Sequence, residues 1–395
     1  MKNNIWNRDY IALILANFLS FCSFYMLLAA LPLHMAVNMQ VDSKIIGVVV
    51  GIFSISALIS RLFAGYLTDI LPRKKFMSVI LAFFVLSVAS YLISASVEAL
   101  FWVRLFQGLC WGLITTSLNT IVIDVMPVKR QGEGIAYFST GSTIAMALGP
   151  VTGLTLFNLY DFDIVIYASL GIAIAGYICS LWARKDSFHK TDNIRKPNNI
   201  NDFLLVRALP FSFKYLLIFF SYGVILGFIT LFGKSLNINN SSWFFIVFAL
   251  GILISRILSA KLLNKGFFDS MNMLSMLLLS ILFALTAILP SIKMFYILAF
   301  FSGIGFGIYI PVNQAMTIFM AKKSQRGVAT ATFFIALDIG IGLGIMLAGS
   351  ILEMGTFTDL FIIMSALSVL GMIYYWYIYR PIFKKKNLIL HNNSQ

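Results

Sequence analysis

The chain of 395 residues is 60% hydrophobic and 11% charged, with a mean hydropathy of +0.91. A soluble domain is about 25% charged, so a soluble fold of this size could not hide so much apolar surface. The 29 basic and 15 acidic residues give a net charge of +14. That excess would suggest nucleic acid in a soluble protein, but here its distribution follows membrane topology.

A bilayer-spanning helix needs about 20 apolar residues. Stretches long enough to cross run through 10–33, 45–68, 76–95, 99–123, 135–157 and 163–183, then 211–233, 242–262, 270–289, 294–319, 327–351 and 357–379. Strand alternation in ten-residue units is absent, which argues against an outer-membrane barrel. The first stretch is too long for the apolar core of a cleavable leader. With both termini inside, 23 Lys and Arg residues fall on inner segments and 3 on outer loops. This imbalance follows the positive-inside rule and supports an even number of spans. The reading is an all-α polytopic membrane protein with a multi-pass location in the cell membrane.

Cys22, Cys110 and Cys179 lie in apolar stretches with no paired metal-ligand spacing. His34, His189 and His391 avoid the middles of spans, which argues against haem or a membrane metalloprotease. Gly303-Gly305-Gly307 and Gly340-Gly342-Gly344 sit inside spans without a preceding strand, so dinucleotide binding is rejected, and the lack of a P-loop argues against direct ATP drive. No cofactor, metal or nucleic-acid partner is expected.

One long polar loop, 184–210, divides the chain. The expected organisation is a six-helix bundle over 1–183, a cytoplasmic linker over 184–210, a second six-helix bundle over 211–380 and a basic tail over 381–395. The halves repeat at an offset of 195: Leu58-Ile59-Ser60-Arg61 matches Leu253-Ile254-Ser255-Arg256, Gly108 and Gly112 match Gly303 and Gly307, and Gly149 matches Gly344. Two related six-helix halves imply a binding site between them, near the midplane.

After span 2 comes Gly65-Tyr66-Leu67-Thr68-Asp69-Ile70-Leu71-Pro72-Arg73-Lys74-Lys75. It resembles the signature of the major facilitator superfamily between helices 2 and 3, with Ile70 in place of the usual base and Pro72 in place of the second glycine. The resemblance implies a latch in which Gly65 lets helices approach, Asp69 faces a helix N-terminus and Arg73 pairs with an acid, for which Asp124 is the natural partner. The bland reading is a positive-inside loop with an incidental acid. On span 4, Arg104-Leu105-Phe106-Gln107-Gly108, followed by Trp111, resembles a helix-4 pattern of drug–proton antiporters in that superfamily. An arginine inside a membrane normally faces a cavity or a partner; the alternative is snorkelling to the outer interface. On span 5, Gly149-Pro150-Val151-Thr152-Gly153 resembles the core of an exporter-associated motif. Pro150 removes a backbone hydrogen bond, and Gly149 and Gly153 offer a flat packing face; together they read as a hinge or as an ordinary kinked span.

Asp338 is the carboxylate placed mid-span, on span 11. Such a group can pick up and release a proton, as coupling requires; the alternative is interhelical packing glue. The family's geometry puts helices 1, 4, 7 and 10 around a central cavity, which makes Asn17, Tyr25, Trp111, Tyr222 and Asn313 candidate substrate contacts, beside Arg104 and Gln107. Interhelical hydrogen bonding or packing is the alternative for each. Arg61 and Arg256, equivalent on spans 2 and 8, are expected to organise an inner gate.

The resemblance implies twelve transmembrane helices in two pseudo-symmetric six-helix bundles. It also implies proton antiport that exports a small molecule, drug-like or a polar metabolite such as an amino-acid-derived metallophore, by rocker-switch alternating access. The expected partners are the substrate, protons and the lipid bilayer, and a monomer is expected. The rivals are a proton-coupled importer of a sugar or organic acid on the same fold, and a membrane-embedded enzyme or sensor, against which the lack of catalytic clusters in the spans counts.

Overall fold

The computed structural model describes residues 5–127, 131–183, 209–238, 240–264, 267–320 and 326–382. Among them the chain forms twelve α-helices: α1 (Arg8–Val37), α2 (Ser43–Ile70), α3 (Arg73–Ala89), α4 (Val97–Asp124), α5 (Gln131–Leu159), α6 (Phe162–Leu181), α7 (Leu209–Ser235), α8 (Trp243–Asn264), α9 (Phe268–Ile288), α10 (Ile292–Met320), α11 (Arg326–Met354) and α12 (Phe357–Tyr374). A 3₁₀ turn, Ser90–Ile93, follows α3, and a π-helical turn, Tyr375–Tyr379, ends α12. Eleven helices are long and apolar enough to cross a membrane, and α8 carries a shorter apolar stretch, Trp243–Arg256, among the described residues.

Helix starts follow local chemistry. The Asn7 side chain accepts from the Tyr10 amide ahead of α1, and Asp161 accepts from the Phe162 amide ahead of α6. Thr356 and Asp359 form a reciprocal capping box on α12. At the other end of α6, the Lys74 ammonium donates to the Leu181 carbonyl at 3.1 Å and to the Ala183 carbonyl. A cation is well placed there, because the last carbonyls of a helix lack intrahelical partners. Surfaces that face outward are apolar, with Trp102, Leu159, Ile288 and Met354 among the exposed side chains. This is the pattern of helices solvated by lipid rather than water.

The helices group into two compact units, Met1–Lys196 and Pro197–Gln395. In the first, glycines bring α4 onto α2. A Cβ at Gly108 would collide with the Phe53 carbonyl oxygen and Ser56 Oγ, and one at Gly112 with the Ala57 carbonyl oxygen and Ser60 Oγ. In the second unit the same seam joins α10 to α8: Gly303 lies on the Phe248 carbonyl oxygen, and Gly307 on Ile252 and Ser255 Oγ. Phe53 and Phe248, Ala57 and Ile252, and Ser60 and Ser255 all stand 195 residues apart, so the repeat in the sequence is a repeat of backbone-to-backbone contacts. Ser60 and Ser255 turn their hydroxyls back onto the carbonyls three residues earlier, at 3.0 and 2.7 Å, so neither adds a polar demand to its seam. A second seam sets α5 on α1 through Gly149 and Gly153, against Tyr25, Cys22 and Met26, and α11 on α7 through Gly340 and Gly344, against Phe219 and Phe220. Close approach of this kind is how membrane helices gain packing energy when lipid is as apolar as their side chains.

Candidate functional site: two buried cations and an aromatic shelf

In the first unit, α4 carries Arg104 and Gln107, both fully buried. The guanidinium donates through Nη1 to Gln107 Oε1 at 2.8 Å and to the Tyr91 hydroxyl at 3.5 Å, and through Nη2 to the Val50 carbonyl of α2 at 3.3 Å. Its Cζ stands 4.5 Å from the centroid of the Phe53 ring. Tyr91 also donates to Gln107 Oε1, at 2.8 Å. The side chain does not snorkel: α2, α4 and the turn after α3 enclose it. Among the described residues it makes no ion pair. Arg104 Nε and Gln107 Nε2 are buried donors without a protein acceptor. A buried guanidinium held by neutral acceptors and one ring face has no charge partner among the described residues, and a further acceptor, anionic for preference, would improve it.

One turn further along α4 lies Trp111. Its ring stacks on Phe24 of α1 at 4.2 Å and 27° and packs on Phe21 at 4.6 Å. Phe24 in turn stacks on Phe53 at 4.8 Å and lies 5.1 Å from Tyr25. The structure therefore brings Trp111 and Tyr25 into one aromatic shelf across α1, α2 and α4. Phe21 and Tyr25 at its edge are half-buried. Asn17, also on α1, turns toward α5 and donates to Ser142 Oγ at 2.8 Å, leaving its Oδ1 without a protein donor.

The second unit holds a feature the sequence reading missed. Lys214, one of the 23 bases expected on inner segments, is fully buried in α7. Its ammonium donates to Asn313 Oδ1 of α10 at 2.6 Å. It lies 5.0 Å from the ring centroid of Tyr215, 5.9 Å from Tyr309, 4.6 Å from Tyr375 and 4.4 Å from Tyr379. Asn313 donates from Nδ2 to Asn272 Oδ1 of α9 and to the Tyr309 carbonyl, both at 2.8 Å. The Tyr375 hydroxyl donates to Asp269 Oδ1, and Arg380 Nε donates to Asp269 Oδ2 at 3.2 Å. Asn313, expected as a substrate contact, is therefore engaged in hydrogen bonds joining α7, α9 and α10. No local motif could have flagged this box, because its members come from four separate helices. The only local hint was a lysine just inside an apolar stretch.

Asp338 is buried on α11, two residues before the Gly340 seam contact. Tyr222 is buried on α7 against Phe306 at 4.9 Å and within electrostatic reach of Arg256 on α8. Arg61 is buried on α2, and Arg256 is half-buried. Pro150 lies within α5 between the seam glycines Gly149 and Gly153. Of the expected latch, Arg73 opens α3, while the side chains of Asp69 and Asp124, and the surroundings of Gly65, lie outside the described residues. No group of three or more His, Cys, Asp or Glu able to hold a metal occurs among the described residues.

Comparison with known proteins agrees with this architecture. The family profile of the Major Facilitator Superfamily matches residues 13–288 and 270–392. The chain is similar to the staphylopine export protein of Staphylococcus aureus (strain Mu50 / ATCC 700699), 25% identical over 353 residues, covering 85% of this chain and 87% of the relative. It is also similar to a Na(+), Li(+), K(+)/H(+) antiporter of Planococcus maritimus, 25% identical over 190 residues, or 47% of this chain and 44% of the relative. Among solved structures, the nucleoside transporter NupG superposes with a TM-score of 0.72 at 18% identity, covering 94% of this chain and 98% of that one, a likeness of fold.

Proposed function

Because the chain belongs to the major facilitator superfamily, we propose that it exports a small molecule across the cell membrane in exchange for protons. The mechanism is rocker-switch alternating access with both termini cytoplasmic. The observation that carries export is the similarity to the staphylopine export protein along 85% of the chain, through both six-helix units. The partial similarity to a cation–proton antiporter supports protons as the counter-ion.

The substrate class is a small polar metabolite bearing acidic groups, of which an amino-acid-derived metallophore is the type, with amphipathic drug-like compounds as the wider class. Arg104 Nε and Gln107 Nε2, enclosed in this structure, supply donors for an acidic group when the surrounding helices part. The shelf of Trp111, Phe24 and Tyr25 supplies a face for the apolar part of the ligand. Asn17 and Tyr222 are further contacts on α1 and α7. Asp338 carries the exchanged proton. Gly149, Pro150 and Gly153 form the hinge at which α5 bends along its own length while staying seated on α1. Arg61 and Arg256 order the inner gate, and Gly65, Asp69, Arg73 and Asp124 latch it.

Everted vesicles loaded by an imposed proton gradient test this, with staphylopine as the probe. Wild-type vesicles should accumulate it as the gradient grows. D338N should remove the dependence on the gradient, and R104A should lower uptake about tenfold or more, a loss that corresponds to one strong contact. Unchanged gradient-driven uptake in both variants would sink the assignment. Uptake into intact cells that rises with an inward proton gradient would reverse the direction to import.

A further inference from the structure

Lys214 stands out because, among the described residues, no acid is paired with it. Asp269, the acid of its surroundings, is taken by the Tyr375 hydroxyl and by Arg380, and Lys214 itself forms no ion pair among the described residues. With Lys214 protonated, the group of Asp269, Arg380 and Lys214 carries one net positive charge; with Lys214 neutral it carries none. Four tyrosine ring faces and the Asn313 amide oxygen hold an ammonium well. Complete burial opposes that charge. A lysine in an ion pair would be held charged by its partner, and Lys214 has no such pair among the described residues.

The setting is also built for change. Tyr375 and Tyr379 reach the ammonium from a π-helical turn, a backbone form that is rare and concentrated at functional sites. Their rings stack at 5.4 Å and 29°. The box gathers the ends at which α7 and α9 begin and α10 and α12 finish. The groups facing the amine can be named element by element. Among the described residues they are Tyr215 on α7, Asp269 on α9, Tyr309 on α10, and Tyr375, Tyr379 and Arg380 at the end of α12. α11 presents Phe333 to Tyr215 at 5.3 Å, and its acids Asp338 and Glu353 form no ion pair with Lys214.

We propose that the Lys214 amine is a proton-binding site of the C-terminal unit, and that its protonation fastens the ends of α7 and α10 together through Asn313. Protonated, the ammonium bonds Asn313 Oδ1 and fills the tyrosine box. When water reaches the box, the amine gives up its proton to a water molecule; the N–H electron pair stays on nitrogen, the charge attraction to the rings and to Asn313 is lost, and the end of α10 is released. The role of this step in transport rests on the proton-exchange reading above. The site itself does not, and it is tested without a substrate.

The experiment is hydrogen–deuterium exchange on the full chain in lipid nanodiscs across a pH series from mildly acidic to alkaline, with rates corrected for intrinsic exchange. In the wild type, protection of the α7 and α10 turns around Lys214 and Asn313 should fall about tenfold or more as pH rises. K214R, whose guanidinium stays charged, should keep that protection throughout, and K214Q should lack it at every pH. Equal profiles in wild type and K214Q overturn the proposal, and they decide the matter alone if K214R fails to assemble. A wild type that meets the expectation while showing no proton-driven efflux counts against the export reading and leaves the site standing.

Discussion

Tyr91 and Arg104 show what one hydrogen bond does inside an apolar bundle. Both donate to Gln107 Oε1, so a single amide oxygen ties the turn after α3 to α4. Tyr91→Phe should remove one donor while keeping the ring and lower stability by about 1 kcal/mol, seen as a lower thermal midpoint in detergent. Arg104→Lys should cost more than this in substrate affinity, because an ammonium reproduces neither the fork to Gln107 and Val50 nor the planar face on Phe53. A binding titration with staphylopine reads the difference, and equal affinities in wild type and R104K would remove Arg104 from the site. The sequence pointed to Arg104 because a charge in an apolar stretch demands a partner. It offered Gln107, one turn along the helix, but gave no sign of Val50, Tyr91 or Phe53, which are 54, 13 and 51 residues away. Lys214 was passed over for the opposite reason: it stands at the edge of its stretch, where a base ordinarily reaches water, and only the rings of Tyr309, Tyr375 and Tyr379, brought from other helices, make it internal.

At the scale of the element, glycine decides which helices touch. The seams at Gly108 and Gly303 place backbone where a side chain would be, while a Cβ at Gly171 on α6 would meet nothing within 4 Å. Gly108→Leu and Gly303→Leu should therefore each reduce the yield of monodisperse protein severalfold, and Gly171→Leu should leave it unchanged; size-exclusion profiles after extraction make the comparison. A loss of equal size at Gly171 would mean that bulk alone, rather than the seam, is limiting. These seams were legible in the sequence because backbone contact leaves its mark as a glycine at fixed spacing, and the shared offset showed that the mark was made twice. The limits of the helices were less legible. α1 continues to Val37 and α10 to Met320, past the hydropathy edges, because hydrogen bonding along a helix does not stop where apolar composition does.

For the whole molecule, membrane insertion and twelve helices follow from composition and from apolar lengths, both of which a sequence carries openly. Orientation rests on the distribution of basic residues, which acts during insertion rather than in any contact of the folded chain. A fluorescent protein fused after Gln395 should therefore be bright, and a reporter that matures only outside the cytoplasm should be silent at the same position; the reverse pattern would invert the topology.

The paired seams have a mechanical consequence. Where α2 meets α4, α1 meets α5, α7 meets α11 and α8 meets α10, main chain presses on main chain, and such joints cannot slide without losing their fit. Each pair is a stiff stave. Bending within either unit would then fall on the joints between its own staves, so spectroscopic labels placed across a seam should hold a constant separation while labels on neighbouring staves of the same unit change theirs.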